Sequence, residues 1–384
     1  MDIKSFIKEK TRYLLMMTYG SIKMEKKTAF FSSFSGKQYS DSPRKISEML
    51  HAIDPNIKIV WSVLPEVDKY LPNYVKIVRP GTMRALKQQA CSSVWVMNNM
   101  VQNGTFKNRR TLYIQTWHGD RAFKKIGADA KTSMGDRYSG RMKYPESKIC
   151  NFIVTASEFG KKMYRTAIDY HGKYIDVGIP RNDCLVNLDN EKERINKIRS
   201  SLGIPENVHI MLYAPTFRDH SKKKIKSDAN LQKALDILQK NGEKWMCLVR
   251  AHVLSGGISS VEGDDRFSDV TQYEDMADLL MITDLLITDY SSSAQDFLIT
   301  GKPVVLTQFD IDEYTSGARS LYYDPKETGF LIANNEIEFE SIISNLDSMN
   351  HRQIDLMIRN YYGMHESGKS TKKVCEYIIR WIRK

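Results

Sequence analysis

Cysteine is scarce in this chain of 384 residues, and its positions follow no recognisable pattern. The five cysteines are Cys91, Cys150, Cys184, Cys247 and Cys375. Their number is odd, no two form a Cys-x-x-Cys pair, and none has the Cys/His spacing of a zinc site. These absences argue against a disulfide framework and favour a reducing, cytoplasmic compartment.

Long apolar runs are also missing. No run approaches the roughly 18 residues needed to span a bilayer, and the N-terminus shows no signal-peptide pattern. Because no Cys and His residues stand at ligand spacing, we expect no metal site. Hydrophobic residues nevertheless make up 41% of the chain, which is enough for large cores and argues against disorder.

The chain carries a large positive charge. Its 57 basic and 46 acidic residues give a formal net charge of +11. Such a charge favours anionic partners: a nucleotide, a phosphopolymer, a nucleic acid or an acidic membrane. The basic residues are spread along the chain rather than clustered with stacking aromatics, so a module that only binds nucleic acid or an anionic polymer is the weaker interpretation.

Residues 3–24 predict a basic amphipathic helix. Its apolar stripe consists of Ile3, Phe6, Ile7, Leu14 and Met17, and the basic residues off this stripe are Lys8, Lys10 and Arg12. A helix of this kind can lie in a membrane interface. An ordinary surface helix that packs on the domain explains the same pattern.

Two successive series of strand-like and helix-like segments predict an α/β protein. The predicted strands of the first series are Thr28–Ser33, Ile57–Val63, Val75–Val78, Ser93–Met97, Leu112–Gln115, Asn151–Thr155 and Ile175–Val177. Those of the second series are Val208–Ala214, Trp245–Ala251, Leu285–Thr288 and Val304–Leu306. Helical segments between them, such as Pro43–Ile53 and Ser293–Ile299, indicate parallel sheets covered on both faces.

This organisation describes a GT-B-like architecture, in which two doubly wound, Rossmann-like domains face a central cleft. We expect an N-terminal, acceptor-side domain at 1–185, a second domain at 186–355 and a C-terminal helical segment at 356–384. Ligands of such sheets bind at the carboxyl ends of the strands. Polar motifs that directly follow a strand are therefore the candidate site.

The most informative motif is Gln115-Thr-Trp-His-Gly119, which follows the β-prone run 112–114. We predict that His118 lies where a strand ends and a helix begins, since a helix N-terminus offers unpaired N–H groups and a partial positive charge. With three basic residues close behind it, the histidine suits chemistry on a phosphate. A core histidine that caps a helix explains the motif equally well.

Two motifs of the second half also follow predicted strands. In Arg250-Ala-His252, the arginine can hold phosphate oxygens in a planar fork; a surface Arg–His pair is the alternative. In Asp289-Tyr-Ser-Ser-Ser-Ala-Gln-Asp296, Ser291 and Ser292 can cap a helix and bind a phosphate. Asp296 lies on the same helical face and can accept from a ligand hydroxyl, although plain capping by the serines is as common.

Two more runs carry an arginine after a strand. In Tyr213-Ala-Pro-Thr-Phe-Arg-Asp219, Arg218 is a candidate phosphate ligand or half of an ion pair with its neighbour. In Gly178-Ile-Pro-Arg-Asn-Asp183, Arg181 is a second candidate, with a structural turn as the rival explanation.

Taken in order, these motifs resemble the CDP-glycerol glycerophosphotransferase family, which builds teichoic acids and related cell-surface polymers. The resemblance runs from about residue 29 to the end of the chain. After Trp-His-Gly the family run usually continues Thr-Pro-Leu-Lys, whereas this chain has Asp120-Arg-Ala-Phe123 before Lys124. If the substrate differs from the usual one of the family, we expect the difference to arise there.

The resemblance implies transfer of glycerol phosphate from CDP-glycerol to a hydroxyl of a lipid-linked acceptor, with release of CMP and without a metal or other cofactor. His118 would be the general base, and His252 is the second candidate, since the two roles can be exchanged. The predicted substrate-binding residues are Gly119, Asp120, Arg121, Ala122, Arg181, Pro215, Thr216, Arg218, Arg250, Ala251, Ser291, Ser292 and Asp296.

Other functions fit the same motifs. A CDP-ribitol phosphotransferase and a GT-B glycosyltransferase that uses a nucleotide sugar are the enzymatic alternatives, and a basic module that binds an anionic polymer is the alternative without catalysis. The length of the chain favours a primase or a short-chain polymerase. We expect a peripheral protein at the cytoplasmic face of the cell membrane, with CDP-glycerol and a lipid-linked acceptor as partners and no nucleic acid.

Overall fold

The computed structural model describes residues 3–132, 146–216, 228–250, 263–317 and 320–384. The chain divides into two compact units. Unit 1 comprises Met1–Asp120, Tyr138–Asp183 and His365–Lys384, and unit 2 comprises Arg121–Arg137 and Cys184–Met364. This division differs from the predicted one, because the segment after Asp120 belongs to unit 2 and the last helix returns to unit 1.

Each unit contains one parallel sheet. The strands of unit 1 are β1 (Glu25–Ser32), β2 (Lys58–Ser62), β3 (Lys76–Val78), β4 (Ser92–Met97), β5 (Leu112–Gln115), β6 (Phe152–Thr155) and β7 (Lys173–Asp176). Those of unit 2 are β8 (His209–Tyr213), β9 (Trp245–Val249), β10 (Phe267–Asp269), β11 (Leu285–Thr288), β12 (Val304–Thr307) and β13 (Leu331–Ala333).

The strand order is doubly wound in both sheets. It is β3-β2-β1-β4-β5-β6-β7 in unit 1 and β10-β9-β8-β11-β12-β13 in unit 2. The order reverses between β1 and β4 and between β8 and β11, and ligands of open parallel sheets bind beside such a switch point. The predicted α/β class with two doubly wound, GT-B-like halves is confirmed.

The helices complete the alternation that the sequence predicts. They are α1 (Ile3–Ile22), α2 (Asp41–Ile53), α3 (Met83–Cys91), α4 (Glu146–Ile149), α5 (Glu158–Ala167), α6 (Asp183–Val186), α7 (Lys192–Ser201), α8 (Asp228–Leu238), α9 (Met276–Ile282), α10 (Ser293–Phe297), α11 (Ile311–Gly317), α12 (Glu336–Ser344), α13 (His351–Tyr362) and α14 (Ser370–Ile382). Within the described residues, no helix has both the length and the apolar character to cross a membrane.

Apolar residues cover both faces of the unit 1 sheet, because successive side chains of a strand point to opposite faces. Phe31 of β1 packs in a cluster with residues of α2 and α14, whereas its neighbour Phe30 packs in a cluster with residues of α1 and α3. In unit 2, the core joins β8, β9 and β11 to α8 and α12. Buried strands of this kind read as continuous apolar runs, which is why the sequence reveals them.

The N-terminal helix packs on unit 1 through residues that lie outside the predicted apolar stripe. Met16 of α1 is fully buried, and α1 lies against α3. The five stripe residues remain between 36% and 75% exposed. The helix thus turns its apolar stripe away from the core of unit 1.

Candidate active site

His118 lies at the carboxyl edge of the unit 1 sheet, three residues after the end of β5. The predicted strand end is confirmed, but the predicted helix start is wrong. Residues 116–126 form no helix, and the next helical turn is a 3-10 helix at Gly127–Thr132. The His118 ring therefore owes its position to side-chain and backbone contacts of unit 1 rather than to a helix N-terminus.

Asp120 is the physical reason why no helix begins at this point. Its Oδ2 accepts hydrogen bonds from the backbone N–H of Ala156 at 2.7 Å, from Thr155 Oγ1 at 3.0 Å and from Ser157 Oγ at 3.1 Å. These bonds hold the segment across the end of β6. Asp120, predicted to bind substrate, is buried among these donors and has the contacts of a positioning residue.

A backbone carbonyl fixes the tautomer of His118. Nδ1 of the imidazole lies 2.8 Å from the carbonyl oxygen of Asn98, which directly follows β4. Because a carbonyl only accepts, the neutral ring must carry its proton on Nδ1, and the lone pair is then on Nε2. An imidazole in this state can take a proton from a substrate hydroxyl.

Two aromatic rings fix the plane of the imidazole. Trp117 stacks on it with ring centroids 5.1 Å apart, and Phe34 lies at a tilt with a centroid distance of 5.5 Å. Asn98 also controls Phe34, since its side-chain oxygen accepts from the Phe34 N–H at 2.8 Å. The loops after β1, β4 and β5 thus converge on His118 at the switch point of the sheet.

A buried ion pair belongs to the same cluster. Arg181 Nη1 lies 3.3 Å from Asp41 Oδ1, and the Asn98 amide donates to Asp41 Oδ2 at 3.1 Å. Arg181, a predicted phosphate ligand, thus belongs to the same cluster of unit 1 as His118. The two charges have opposite effects on the pKa of the imidazole, since Asp41 raises it and Arg181 lowers it.

Surrounding protein lowers the pKa of His118 below its usual 6.5, with desolvation as the largest cause. The hydrogen bond to Asn98 and the charge of Asp41 act in the opposite direction, and the charge of Arg181 lowers the pKa further. Part of the His118 side chain is nevertheless exposed to solvent. The exposed part gives a substrate access, and the crowding of the rest of the ring keeps it neutral at physiological pH.

Backbone strain is concentrated around this cluster. Five described residues other than glycine have positive φ angles, and four of them belong to it: Phe34 (46°), Ser35 (60°), Asp41 (64°) and Trp117 (48°). Such conformations are costly for residues with a Cβ and persist where the surrounding structure enforces them, most often at functional sites. The distribution supports a functional role for the His118 cluster.

Arg121 and Asp296, both predicted to bind substrate, bind each other. Arg121 Nη2 lies 3.1 Å from Asp296 Oδ1, and the two residues are 1% and 7% exposed. Phe123, also fully buried, packs against Tyr323 and Phe330 of unit 2. Of the segment that departs from the usual family sequence, Asp120 thus belongs to unit 1, and Arg121 and Phe123 are embedded in unit 2. The neighbouring Gly119 and Ala122 are partly exposed.

In unit 2, a carboxylate organises the loop after β8. Both oxygens of Asp289 accept hydrogen bonds from the Thr216 backbone N–H, at 2.8 and 3.0 Å. Pro215 and Thr216 are partly exposed, whereas Asp289 is buried directly after β11. These loops meet at the switch point between β8 and β11, where a nucleotide is expected.

Ser291 and Ser292 follow Asp289 and are partly exposed. Ser292 precedes α10, and its side chain makes no capping hydrogen bond. Ser291 Oγ accepts from the Ser293 N–H at 3.4 Å, so one of the two serines bonds to the start of the helix. Ser291 Oγ accepts from Ser293 Oγ at 3.0 Å. Ser292 lies at the carboxyl edge of β11, the edge of a parallel sheet at which ligands bind.

Arg250 follows β9 directly and is half-buried. Its Nη1 contacts the Met276 sulfur at 3.4 Å, and no carboxylate of the described residues forms a salt bridge with it. Burial lowers the pKa of Arg250, with partial compensation by Asp275 and Tyr273. A phosphate ligand would form strong, charge-assisted hydrogen bonds with a desolvated guanidinium of this kind.

Three predicted site residues, Arg218, Ala251 and His252, lie outside the described residues.

A segment near the C-terminus has the residue spacing of a phosphate-binding loop but a structural role. Residues 363–370 read Gly-x-x-x-x-Gly-Lys-Ser, the spacing of a P-loop, but they follow helix α13 rather than a strand. The N-terminus of α14 binds the Asp183 carboxylate instead, which accepts from the N–H groups of Ser370 at 2.9 Å and Thr371 at 2.7 Å. An internal carboxylate therefore stands where a phosphate would bind.

Sequence reasoning missed three residues of these clusters: Asp41, Asn98 and Asp289. Asp289 begins a motif that was recognised for its serines and for Asp296, and Asp41 is the first residue of α2. Asn98 acts through its backbone carbonyl and its amide, and only its position directly after a buried strand signals the role.

Comparisons with known proteins agree with the motifs. Residues 14–380 match the family described as CDP-glycerol:poly(glycerophosphate) glycerophosphotransferase. The chain is 29% identical to the teichoic acid glycerol-phosphate transferase of Staphylococcus aureus, over 98% of this chain and 100% of that protein. It is 31% identical to the teichoic acid poly(glycerol phosphate) polymerase of Staphylococcus epidermidis, over 83% of this chain but only 45% of that protein. The chain thus spans less than half the length of this polymerase.

Among solved structures, the chain is similar to the wall teichoic acid polymerase TagF, in a variant soaked with CDPG. The TM-score is 0.84 and the identity 28%, over 99% of this chain and 96% of that one. The similarity therefore extends over both units.

Proposed function

Since the chain belongs to the CDP-glycerol:poly(glycerophosphate) glycerophosphotransferase family, and is thus a transferase, we propose the following reaction for it. It transfers glycerol phosphate from CDP-glycerol to a hydroxyl of a lipid-linked glycan or polyol-phosphate acceptor, in the synthesis of a teichoic acid or capsule-type polymer. The observation that carries this proposal is the orientation of His118, whose basic Nε2 is set by the Asn98 carbonyl.

In the proposed step, His118 Nε2 takes the proton of the acceptor hydroxyl while its oxygen attacks the phosphorus that carries glycerol. A new P–O bond to the acceptor forms, and the bond from that phosphorus to the oxygen bridging the two phosphates breaks. The bridging oxygen and its electron pair leave with CMP. Phosphoryl transfer depends mainly on positioning and charge stabilisation, so a neutral base and fixed cations are sufficient.

We propose that the donor binds at the switch point of unit 2. Arg250 would pair with the pyrophosphate, the Ser292 hydroxyl would donate to it, and the Thr216 loop held by Asp289 would border the nucleotide. Arg181 and His252 are further candidates for stabilising the leaving phosphate. Because fixed cations would supply the charge compensation, we propose that transfer needs no metal.

We place the protein at the cytoplasmic face of the membrane as a peripheral protein. The exposed apolar stripe of α1 supports this placement, since an amphipathic helix with flanking lysines can lie in the headgroup region. The protein could then bind the lipid-linked acceptor while the acceptor stays in the membrane.

Product analysis tests the proposed reaction. The purified protein is incubated with a defined lipid-linked acceptor and either CDP-glycerol, CDP-ribitol or a nucleotide sugar, and products are identified by mass spectrometry. The proposal expects CMP and a mass increase of one or more glycerol phosphate units from CDP-glycerol. Release of CMP from CDP-ribitol alone would assign the ribitol reaction, and a nucleoside diphosphate would indicate a glycosyltransferase.

A further inference from the structure

A cavity of about 350 Å³ lies in unit 1 beneath the N-terminal helix. Its walls are formed by residues of α1, of α3, of the ends of β1, β2 and β4, and of the loops after β1, β3 and β4. Its volume is within the range of small-molecule sites. The cavity lies at the carboxyl ends of the strands, the edge of a parallel sheet at which ligands bind.

The apolar part of the cavity is rich in methionine. Met83, Met97 and Met100 line it together with Phe30, Leu15 and Leu86. Methionine side chains are unbranched and polarizable, so they adapt to irregular apolar ligands. This lining suits a flexible hydrocarbon chain better than a rigid polar metabolite.

One wall carries a cation without an acidic partner. Arg12 of α1 is half-buried against the cavity, and desolvation alone lowers the pKa of its guanidinium. Among the described residues, no carboxylate forms a salt bridge with it. Lys8 lies one helical turn earlier on the same wall. Two cations on one wall, with no carboxylate among the residues that line the cavity, indicate an anionic group in the ligand.

The opposite walls offer hydrogen-bond donors. Ser32 and Ser62 end neighbouring strands, are 9% and 6% exposed and line the cavity. Their side-chain hydroxyls have no hydrogen-bond partner among the described residues. Gly81 and Thr82, at the N-terminus of α3, line it as well, and a Cβ on Gly81 would meet open space. Thr82 Oγ1 caps α3 by accepting from the Ala85 N–H at 3.2 Å, and the partial positive charge of the helix start favours an anion.

The cavity shares a wall with the His118 cluster. Ser35 and Asn99 line the cavity and bind each other, since the Ser35 N–H donates to Asn99 Oδ1 at 2.9 Å. Their neighbours Phe34 and Asn98 are the residues that hold the His118 ring. A molecule anchored in the cavity would therefore lie beside the base.

We infer that this cavity binds a phosphate-bearing amphiphile, with the phosphate at Arg12 and the hydrocarbon chain among the methionines. Resting on the proposed function, the inference assigns the cavity to the acceptor: it anchors the phosphorylated lipid end of that molecule. The rest of the acceptor then extends toward His118. The cavity is thus the site that selects acceptors with a lipid phosphate.

The test measures binding of decyl phosphate to the full chain by titration calorimetry, below the micelle concentration and without donor. Decanol and inorganic phosphate are the matched ligands. Arg12→Gln removes one of the two cavity cations, and Lys10→Gln removes the same charge from α1 outside the cavity. Ala85→Leu fills the cavity from α3, and circular dichroism checks that each variant is folded.

We expect wild-type protein and Lys10→Gln to bind decyl phosphate equally well. Binding by Arg12→Gln should be weaker by about tenfold or more, the effect of losing one charged hydrogen bond. Ala85→Leu should also bind decyl phosphate more weakly than the wild type does. The wild type should bind decanol and inorganic phosphate more weakly than decyl phosphate. Equal binding by Arg12→Gln and Lys10→Gln would overturn the inference, as would decanol or inorganic phosphate binding as tightly as decyl phosphate.

A second arm separates the acceptor from a bilayer headgroup as the source of the phosphate. Sedimentation with phosphatidylglycerol vesicles should be reduced equally in Arg12→Gln and Lys10→Gln if the bilayer contacts only the helix surface. A selective loss in Arg12→Gln would make the bilayer lipid itself the occupant and contradict the acceptor assignment. Because no donor is present, failure of glycerol phosphate transfer would leave these binding results unchanged.

Discussion

The carbonyl oxygen of Asn98 and Nδ1 of His118 lie 2.8 Å apart, and this contact joins two strand ends that are 20 residues apart in the chain. It determines which imidazole nitrogen can act as a base. Two consequences can be measured: the pH at which the imidazole becomes protonated, and the loss of transfer when it is removed.

The pH profile of transfer should report the lowered pKa of His118. The base acts when neutral, so kcat/KM should be constant at neutral pH and fall as the pH decreases through a midpoint below 6.5. Arg181 lowers this pKa and Asp41 raises it. Arg181→Gln should therefore move the midpoint to higher pH, and Asp41→Asn should move it to lower pH.

Shifts in the same direction, or a midpoint that neither variant moves, would show that another group titrates. The midpoint is the decisive quantity, because either substitution can also reduce the rate itself.

The Arg121–Asp296 pair should matter for stability rather than for binding. Removing one partner leaves a buried charge without compensation, which typically costs about 3–5 kcal/mol. We expect Arg121→Met to lower the free energy of unfolding by about this amount, as measured by urea denaturation. The double variant Arg121→Met/Asp296→Asn should recover most of the loss. If Arg121→Met unfolds like the wild type but binds donor poorly, the pair is a ligand site.

Asp289 should control the donor site through the Thr216 loop. Asp289→Asn exchanges a charged acceptor for a neutral one, and charged hydrogen bonds are worth about 1.5–3 kcal/mol. We expect KM for CDP-glycerol to rise about tenfold or more, with a smaller change in acceptor KM. Asp284→Asn is the matched control, because it changes a carboxylate just before the opposite end of β11. An equal rise in both variants would contradict the assignment.

Most of the candidate site residues could be predicted from the sequence because they directly follow a strand. Buried parallel strands are apolar throughout, so the polar residues after them, such as His118 and Arg250, are recognisable. The short edge strands β10 and β13, of three residues each, are not among the predicted strands. Their place in the sheet depends on pairing with β9 and β12.

Tertiary partners explain the remaining differences. Arg121 and Asp296 are 175 residues apart, so the sequence shows two polar residues near motifs and nothing of their pairing. The helix expected after His118 is replaced by the Asp120 contacts at the end of β6, which local propensity does not encode. Helix α14 joins unit 1 through Asp183, a contact that likewise depends on the complete fold.

The central claim is that His118 is the general base of glycerol phosphate transfer. The direct measurement is kcat/KM for CMP release from CDP-glycerol by His118→Ala, compared with His171→Ala, which replaces an exposed histidine beside Asp169. We predict that both variants fold and that His118→Ala loses about a hundredfold or more, while His171→Ala keeps wild-type activity. Activity of His118→Ala close to that of His171→Ala would contradict the account.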